Sequence, residues 1–128
     1  MTTHTNPYLP LLRYAIGDYA EQTSGGYIVH GRIRDALRRT DGSVATTRQV
    51  DALFADLGDV AHYQLRQQAD GRLELFLMPV QAGDELTASA ALLRSRLSAL
   101  LGAEVALRTD VLIAPEDSGK FRLTVRLA

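Results

Sequence analysis

The sequence has no cysteine. Disulfides, thiolate metal sites and cysteine nucleophiles are therefore excluded, and a reducing cytoplasm is the expected compartment. It has little of any long apolar run: Leu75-Phe76-Leu77-Met78 is among the longest, far short of a bilayer span. The first residues, Met1 to Asn6, are polar and carry no apolar core of a secretory leader. There is no internal repeat and no low-complexity tract. Charge of one sign is also missing, since the formal net charge is -1. That predicts no bulk binding to nucleic acid or to an anionic membrane, while leaving room for a local basic patch. His4, His30 and His62 stand apart with no second ligand at metal spacing, so no metal site is expected. Neither a Gly-x-Ser-x-Gly elbow nor a phosphate-binding Gly-x4-Gly-Lys-Ser/Thr loop occurs. Lysine is nearly absent: of 14 basic side chains, Lys120 is the one lysine.

What remains is the composition of one ordinary globular domain, with 128 residues, 46% apolar and 23% charged. Residues 1–12 contain Pro7 and Pro10 and read as an extended arm, leaving 13–128 as a single domain. Gly17-Asp18 suggests a turn, residues 21–26 read as a loop, and residues 27–33 are β-prone around Tyr27, Ile28 and Val29. Asp41-Gly42 predicts a short hairpin between about 35–39 and 43–45. Val50, Leu53, Phe54 and Leu57 follow helical spacing, with Thr46 and Gln49 as a capping box and Gly58 as the stop. Strands over 60–69 and 72–80 join at Asp70-Gly71. A second helix is expected over 85–101, capped by Asp84 and ended by Gly102, with Leu86, Ala90, Leu93, Leu97 and Leu101 as its apolar stripe. A strand follows at 104–112. The last strand alternates Phe121, Leu123, Val125 and Leu127 with Arg122, Thr124 and Arg126. The expected architecture is α+β: a small mixed or antiparallel sheet with two helices on one face, preceded by a β-hairpin. Its final strand leaves an edge on which a second copy could pair as a homodimer.

Arg32, Arg34, Arg38 and Arg39 cluster in sequence. They read either as a solvated hairpin face or as an anion site, because guanidinium matches phosphate geometry.

Three short segments, in order, resemble motifs in the C-terminal part of the adenylate-forming superfamily of acyl- and aryl-CoA synthetases, luciferases and adenylation domains. The flavour is that of its phenylacetate-CoA ligase-like branch. The first is Arg13-Tyr14-Ala15-Ile16-Gly17-Asp18, similar to Arg-Tyr-x-Thr-Gly-Asp, with Ile16 in place of Thr. The resemblance implies that Asp18 accepts hydrogen bonds from the ribose hydroxyls of ATP, a task that suits two carboxylate oxygens. The second is Gly31-Arg32-Ile33-Arg34-Asp35-Ala36-Leu37, leading to Gly42 and Val44. It implies that Arg32 contacts the ribose or phosphate region and that Arg34 and Asp35 form the hinge, Arg34 replacing the usual Asp or Lys. It also implies that Gly42, Ser43 and Val44 approach the thiol substrate in the thioester-forming pose. The third, Pro115-Glu116-Asp117-Ser118-Gly119-Lys120-Phe121-Arg122, resembles Pro-x-(Ser/Thr)-x-Gly-Lys-x-Arg. It implies that Lys120 bridges the acid's carboxylate and the α-phosphate, offsetting the charge that builds up there. The cysteine-containing segment of the branch has no counterpart here, since residues 21–30 hold no cysteine.

The resemblance covers residues 11–128 and implies a lid domain without its much larger N-terminal domain. Such a lid would not be active alone. Its implied ligands are ATP with Mg2+, held mainly by the large domain, a carboxylic acid, and the thiol of CoA or a carrier protein. The alternation of helices and strands is also that of ferredoxin-like binding or regulatory modules, and fold does not settle function.

Overall fold

The structure, a computed structural model, describes residues 17–108 and 112–128. The arm expected over 1–12, the Arg13–Ile16 part of the first motif, and Thr109–Val111 of the expected strand 104–112 lie outside the described residues.

The chain opens with an antiparallel hairpin, β1 (Asp18–Thr23) and β2 (Gly26–Arg32), turning at Ser24-Gly25. Residues 21–23, expected as loop, are strand here. Their polar character follows from exposure of this stretch rather than from irregular backbone. A 3-10 turn, Ile33–Asp35, leads into the short hairpin β3 (Leu37–Arg38) and β4 (Val44–Ala45), as the Asp41-Gly42 signal predicts.

Helix α1 spans only Thr47–Asp51 and then tightens into a 3-10 turn at Ala52–Phe54. The capping box forms as expected: the Gln49 amide donates to the Thr46 hydroxyl, and the Gln49 side chain accepts from the Thr46 amide. The apolar spacing continues to Leu57, and the Leu57 amide donates to the Phe54 carbonyl 3.0 Å away. The i, i+3 pairs Val50–Leu53 and Phe54–Leu57 suit 3-10 turns as well as an α-helix, so periodicity overstated the helix length.

Strands β5 (Val60–Gln67) and β6 (Leu73–Pro79) form the centre of the main sheet, antiparallel across the Asp70-Gly71 turn. Helix α2 spans Thr87–Leu101. Its N-cap is Leu86, without a side-chain cap, so Asp84 lies ahead of the helix rather than capping it. Its end is the expected one: Gly102, at φ +75°, donates its amide to the Ser98 carbonyl 2.8 Å away. Strand β7 (Val105–Arg108) then runs parallel to β6, and β8 (Thr124–Arg126) runs parallel to β5. The strand order is β7-β6-β5-β8.

One face of this sheet carries Tyr63, Leu65, Leu73, Leu75 and Leu77. A single core is completed by Val50 of α1, Phe54 of the 3-10 turn, Ala90, Leu93, Leu97 and Leu101 of α2, and Leu37, Ala45 and Val105 of the short strands. Pleating puts alternate residues of each strand on that face. Phe54 and Tyr63 stack with ring centroids 3.6 Å apart, and the Tyr63 hydroxyl donates to Asp51.

The last strand departs from its pattern. It is three residues long, and the register sets Thr124 beside Leu65, on the core side. Thr124 is therefore 1% exposed, whereas Phe121 is 51% exposed. A buried hydroxyl needs a partner, and Thr124 finds it in the Thr47 hydroxyl, 2.7 Å away.

Candidate functional site

Three stretches of chain meet beside β8. The first is the end of β2 with the 3-10 turn that follows it, the second is the start of α1, and the third is the segment before β8. They enclose a cleft of about 510 Å3 lined by Gly31, Arg32, Arg34, Asp35, Thr47, Glu116 and Lys120, among others. Gly31 belongs here for a steric reason. Its φ is +120°, and a Cβ would lie 3.2 Å from Cβ of Thr47, so a side chain would strain the backbone and press on α1.

The Lys120 segment is a closed turn. The Glu116 amide donates to the Lys120 carbonyl at 2.9 Å, and the Gly119 amide donates to the Glu116 carbonyl at 2.8 Å. Phe121 meets the His62 ring edge-on with centroids 4.9 Å apart, tying the turn to β5. The Arg122 carbonyl accepts from the Gln64 side chain at 2.8 Å. Two contacts to β5, at Phe121 and at the Arg122 carbonyl, thus anchor the segment from which Lys120 projects.

The floor of the cleft is ionic. Arg122 donates through one terminal nitrogen to Asp35 and through the other to Glu116, the latter at 3.2 Å. Arg34 stands 3.5 Å from Asp35 and 3.8 Å from Glu116. Asp35 and Arg122 are largely shielded, at 14% and 20% exposure of their side chains, whereas Arg34 keeps 61%. Arg32 lies 3.6 Å from the Oδ1 atom of Asp18, and that oxygen is buried without a hydrogen-bond partner. Four basic side chains, Arg32, Arg34, Lys120 and Arg122, line the cleft against two carboxylates, Asp35 and Glu116. A concave site with that imbalance favours an anionic ligand.

Arg32, Arg34, Asp35 and Lys120 thus share one cleft, and Asp18 joins them through Arg32. Gly42, Ser43 and Val44 do not line it. Their turn is held by Asp41, which accepts from the Ser43 amide and hydroxyl, and it docks on the end of α2 through the Thr40 amide and the Leu101 carbonyl. Those Ser43 hydrogen bonds hold the Asp41 carboxyl below its usual range. The basic cluster is also divided: Arg32 and Arg34 line this cleft, whereas Arg38 lines another with Arg126. Glu116 and Arg122 stand in the third motif but received no role from sequence. Asp35, the second partner of Arg122, is 87 residues from it, a pairing that local spacing does not reveal. Among the described residues no group of three or more His, Asp or Glu is placed to hold a metal ion, and no helix is long and apolar enough to cross a membrane.

No protein-family model matches the sequence, and no curated protein matches it significantly. Solved structures do match, and these structural neighbours are adenylate-forming ligases. A fatty acyl-adenylate ligase from E. coli or L. pneumophila superposes with a TM-score of 0.62 at 18% identity, over 84% of this chain and 20% of that one. A 2-hydroxyisobutyryl-CoA ligase in its postadenylation state gives 0.62 at 15% identity, over 91% of this chain and 29% of that one. The acetoacetyl-CoA synthetase of Streptomyces lividans gives 0.59 at 19% identity, over 84% and 17%. The likeness is one of fold, and this chain spans less than a third of the length of each of these enzymes.

Proposed function

We propose that this chain is the C-terminal lid of an ATP-dependent carboxylic acid adenylating ligase, working with a large N-terminal domain or subunit. The observation that carries this reading is the meeting of Arg32 and Lys120 in one basic cleft, from segments at opposite ends of the described chain. Substrate chemistry follows from the charges. In the first half-reaction a carboxylate oxygen of the acid attacks the α-phosphorus of ATP, the bond to the pyrophosphate oxygen breaks, and pyrophosphate leaves. Two anions must approach each other, and a lysine ammonium between them offsets their repulsion and the charge developing at phosphorus. Lys120 has that role. Asp18, with a buried unpartnered oxygen beside Arg32, is the acceptor for the ribose hydroxyls. Arg32 lies close enough to both to face the ribose or phosphate groups.

Mg2+ would be held with the ATP phosphates, mainly by the large domain. The second half-reaction, attack of a CoA or carrier-protein thiol on the acyl-adenylate with release of AMP, would use the Gly42–Val44 turn. That turn lies outside the cleft, so the lid would have to swing about Arg34 and Asp35 to present it, which needs only a few dihedral changes.

The test is acid-dependent exchange of pyrophosphate into ATP by a large-domain partner, with and without this chain. Lys120→Ala should reduce exchange by about 100-fold or more, the scale of losing one transition-state electrostatic contact, with the circular dichroism spectrum unchanged. Exchange that is indifferent to the chain, with the partner folded and binding ATP, would refute the pairing and favour a non-catalytic binding module.

A further inference from the structure

Glu116 and Lys120 close the same backbone turn, and both side chains face the cleft. A lysine stem is flexible and its ammonium is a compact charge. Left to itself it would fold back onto the nearest carboxylate. Among the described residues Lys120 has no ion pair, and the two carboxylates lining the cleft are already occupied. Arg122 holds Asp35 with one terminal nitrogen and Glu116 with the other, and Arg34 stands farther off at 3.5 and 3.8 Å. A guanidinium suits this task better than an ammonium. Its planar fork addresses two acceptors at once, and it is less strongly hydrated, so it tolerates the partly shielded floor of the cleft. Arg122 is held there from a second direction, since its own carbonyl is bonded to Gln64 on β5.

We infer that Arg122 is a positioning residue: by occupying Asp35 and Glu116 it keeps the Lys120 ammonium unpaired and available to an anion entering the cleft. What Lys120 does once available rests on the ligase reading; its being kept available does not. The same contact ties the Lys120 turn to Asp35 at the end of the 3-10 segment Ile33–Asp35.

Lys120 is the only lysine, which makes the test direct. The labelling rate of Lys120 by trinitrobenzenesulfonate is followed in the isolated chain, with the N-terminal amine separated by peptide mass mapping. Only the neutral amine reacts, and a carboxylate partner favours the charged form. Arg122→Gln leaves Asp35 and Glu116 only the longer contacts to the exposed Arg34, at 3.5 and 3.8 Å, so labelling of Lys120 should slow about threefold or more. The double variant Arg122→Gln with Glu116→Gln should recover most of the wild-type rate. A merely structural role for Arg122 would speed labelling by loosening the turn, or would leave a defect that the second substitution cannot repair, and either result overturns the inference.

If Arg122→Gln fails to give a cooperative unfolding curve, Glu116→Gln alone decides. A rate within about twofold of wild type supports the inference, because Glu116 was never holding Lys120. A rise of about threefold or more overturns it. None of these measurements needs a partner or ATP, so the inference can fail while the pyrophosphate-exchange assay succeeds, and the reverse.

Discussion

On the helix-covered face of the sheet, Leu65, Leu75, Leu93 and Leu97 have no exposed surface, while in the cleft beside β8 Arg32 and Arg34 keep more than half of theirs. The two regions are joined at α1, where Val50 enters the core and Thr47 lines the cleft. They are held by different forces. Burial of apolar surface is additive and non-directional, and it supplies most of the stability of a small domain. Half-exposed ion pairs contribute little because water and salt screen them. The difference teaches where each kind of change should register: a substitution in the core should unfold the protein, and one in the cleft should alter what it binds.

The largest effect is expected in the core. Leu97→Ala, at a fully buried position, should cost about 2–5 kcal/mol through lost transfer energy and the cavity left behind, read from urea unfolding. A smaller loss tests the junction between the α2 terminus and the β3–β4 turn. Gly102 has φ +75°, and a Cβ would collide with Oγ1 of Thr40, whose amide bonds to the Leu101 carbonyl. Gly102→Ala should therefore cost about 1–2 kcal/mol from the left-handed backbone alone, and more if Thr40 cannot rotate away.

A surface ion pair gives a pH signature. Hydrogen bonds from Arg96 lower the Asp56 carboxyl to about 2 from 3.8. A depressed carboxyl stabilises the fold fully above its unfolded value of 3.8, and that contribution fades as pH falls towards 2. Asp56→Asn should flatten this part of the urea-midpoint profile below about pH 4 while leaving the midpoint at neutral pH only slightly reduced. The smallest stability change belongs to the residue with the largest proposed effect on activity. Lys120→Ala should shift unfolding by no more than about 0.5 kcal/mol. A larger loss would mean that Lys120 supports the fold, and the contrast between the two regions would break down.

Much of the core side was legible in the sequence. The Leu93, Leu97, Leu101 stripe, Gly102 as helix stop, the Thr46–Gln49 capping box and the Asp70-Gly71 turn are local signals, and each acts within a few residues of where it is written. The cleft was legible only in part. The motif resemblance singled out Asp18, Arg32, Arg34, Asp35 and Lys120, and the structure brings these together. It gave no role to Arg122 or Glu116, and Arg122 meets its second carboxylate, Asp35, only across 87 residues of chain. The polar residues 21–23 concealed a strand because neither face of that hairpin contributes to the main core.

Local sequence alone set the apolar faces of α2 and of the β5–β6 pair and the turns at Asp41-Gly42, Asp70-Gly71 and Gly102, because helix periodicity, strand alternation and glycine conformation are properties of neighbouring residues. Only the tertiary structure decided how the last strand is used. Its alternation offers Phe121, Leu123, Val125 and Leu127 as one apolar face, but the parallel register with β5 buries Thr124 against Thr47 and leaves Phe121 beside His62. Register is a choice between faces made by the partner strand, and a shift of one residue exchanges them. That choice turns Arg122 towards Asp35, and so builds the floor of the cleft from the two ends of the described chain.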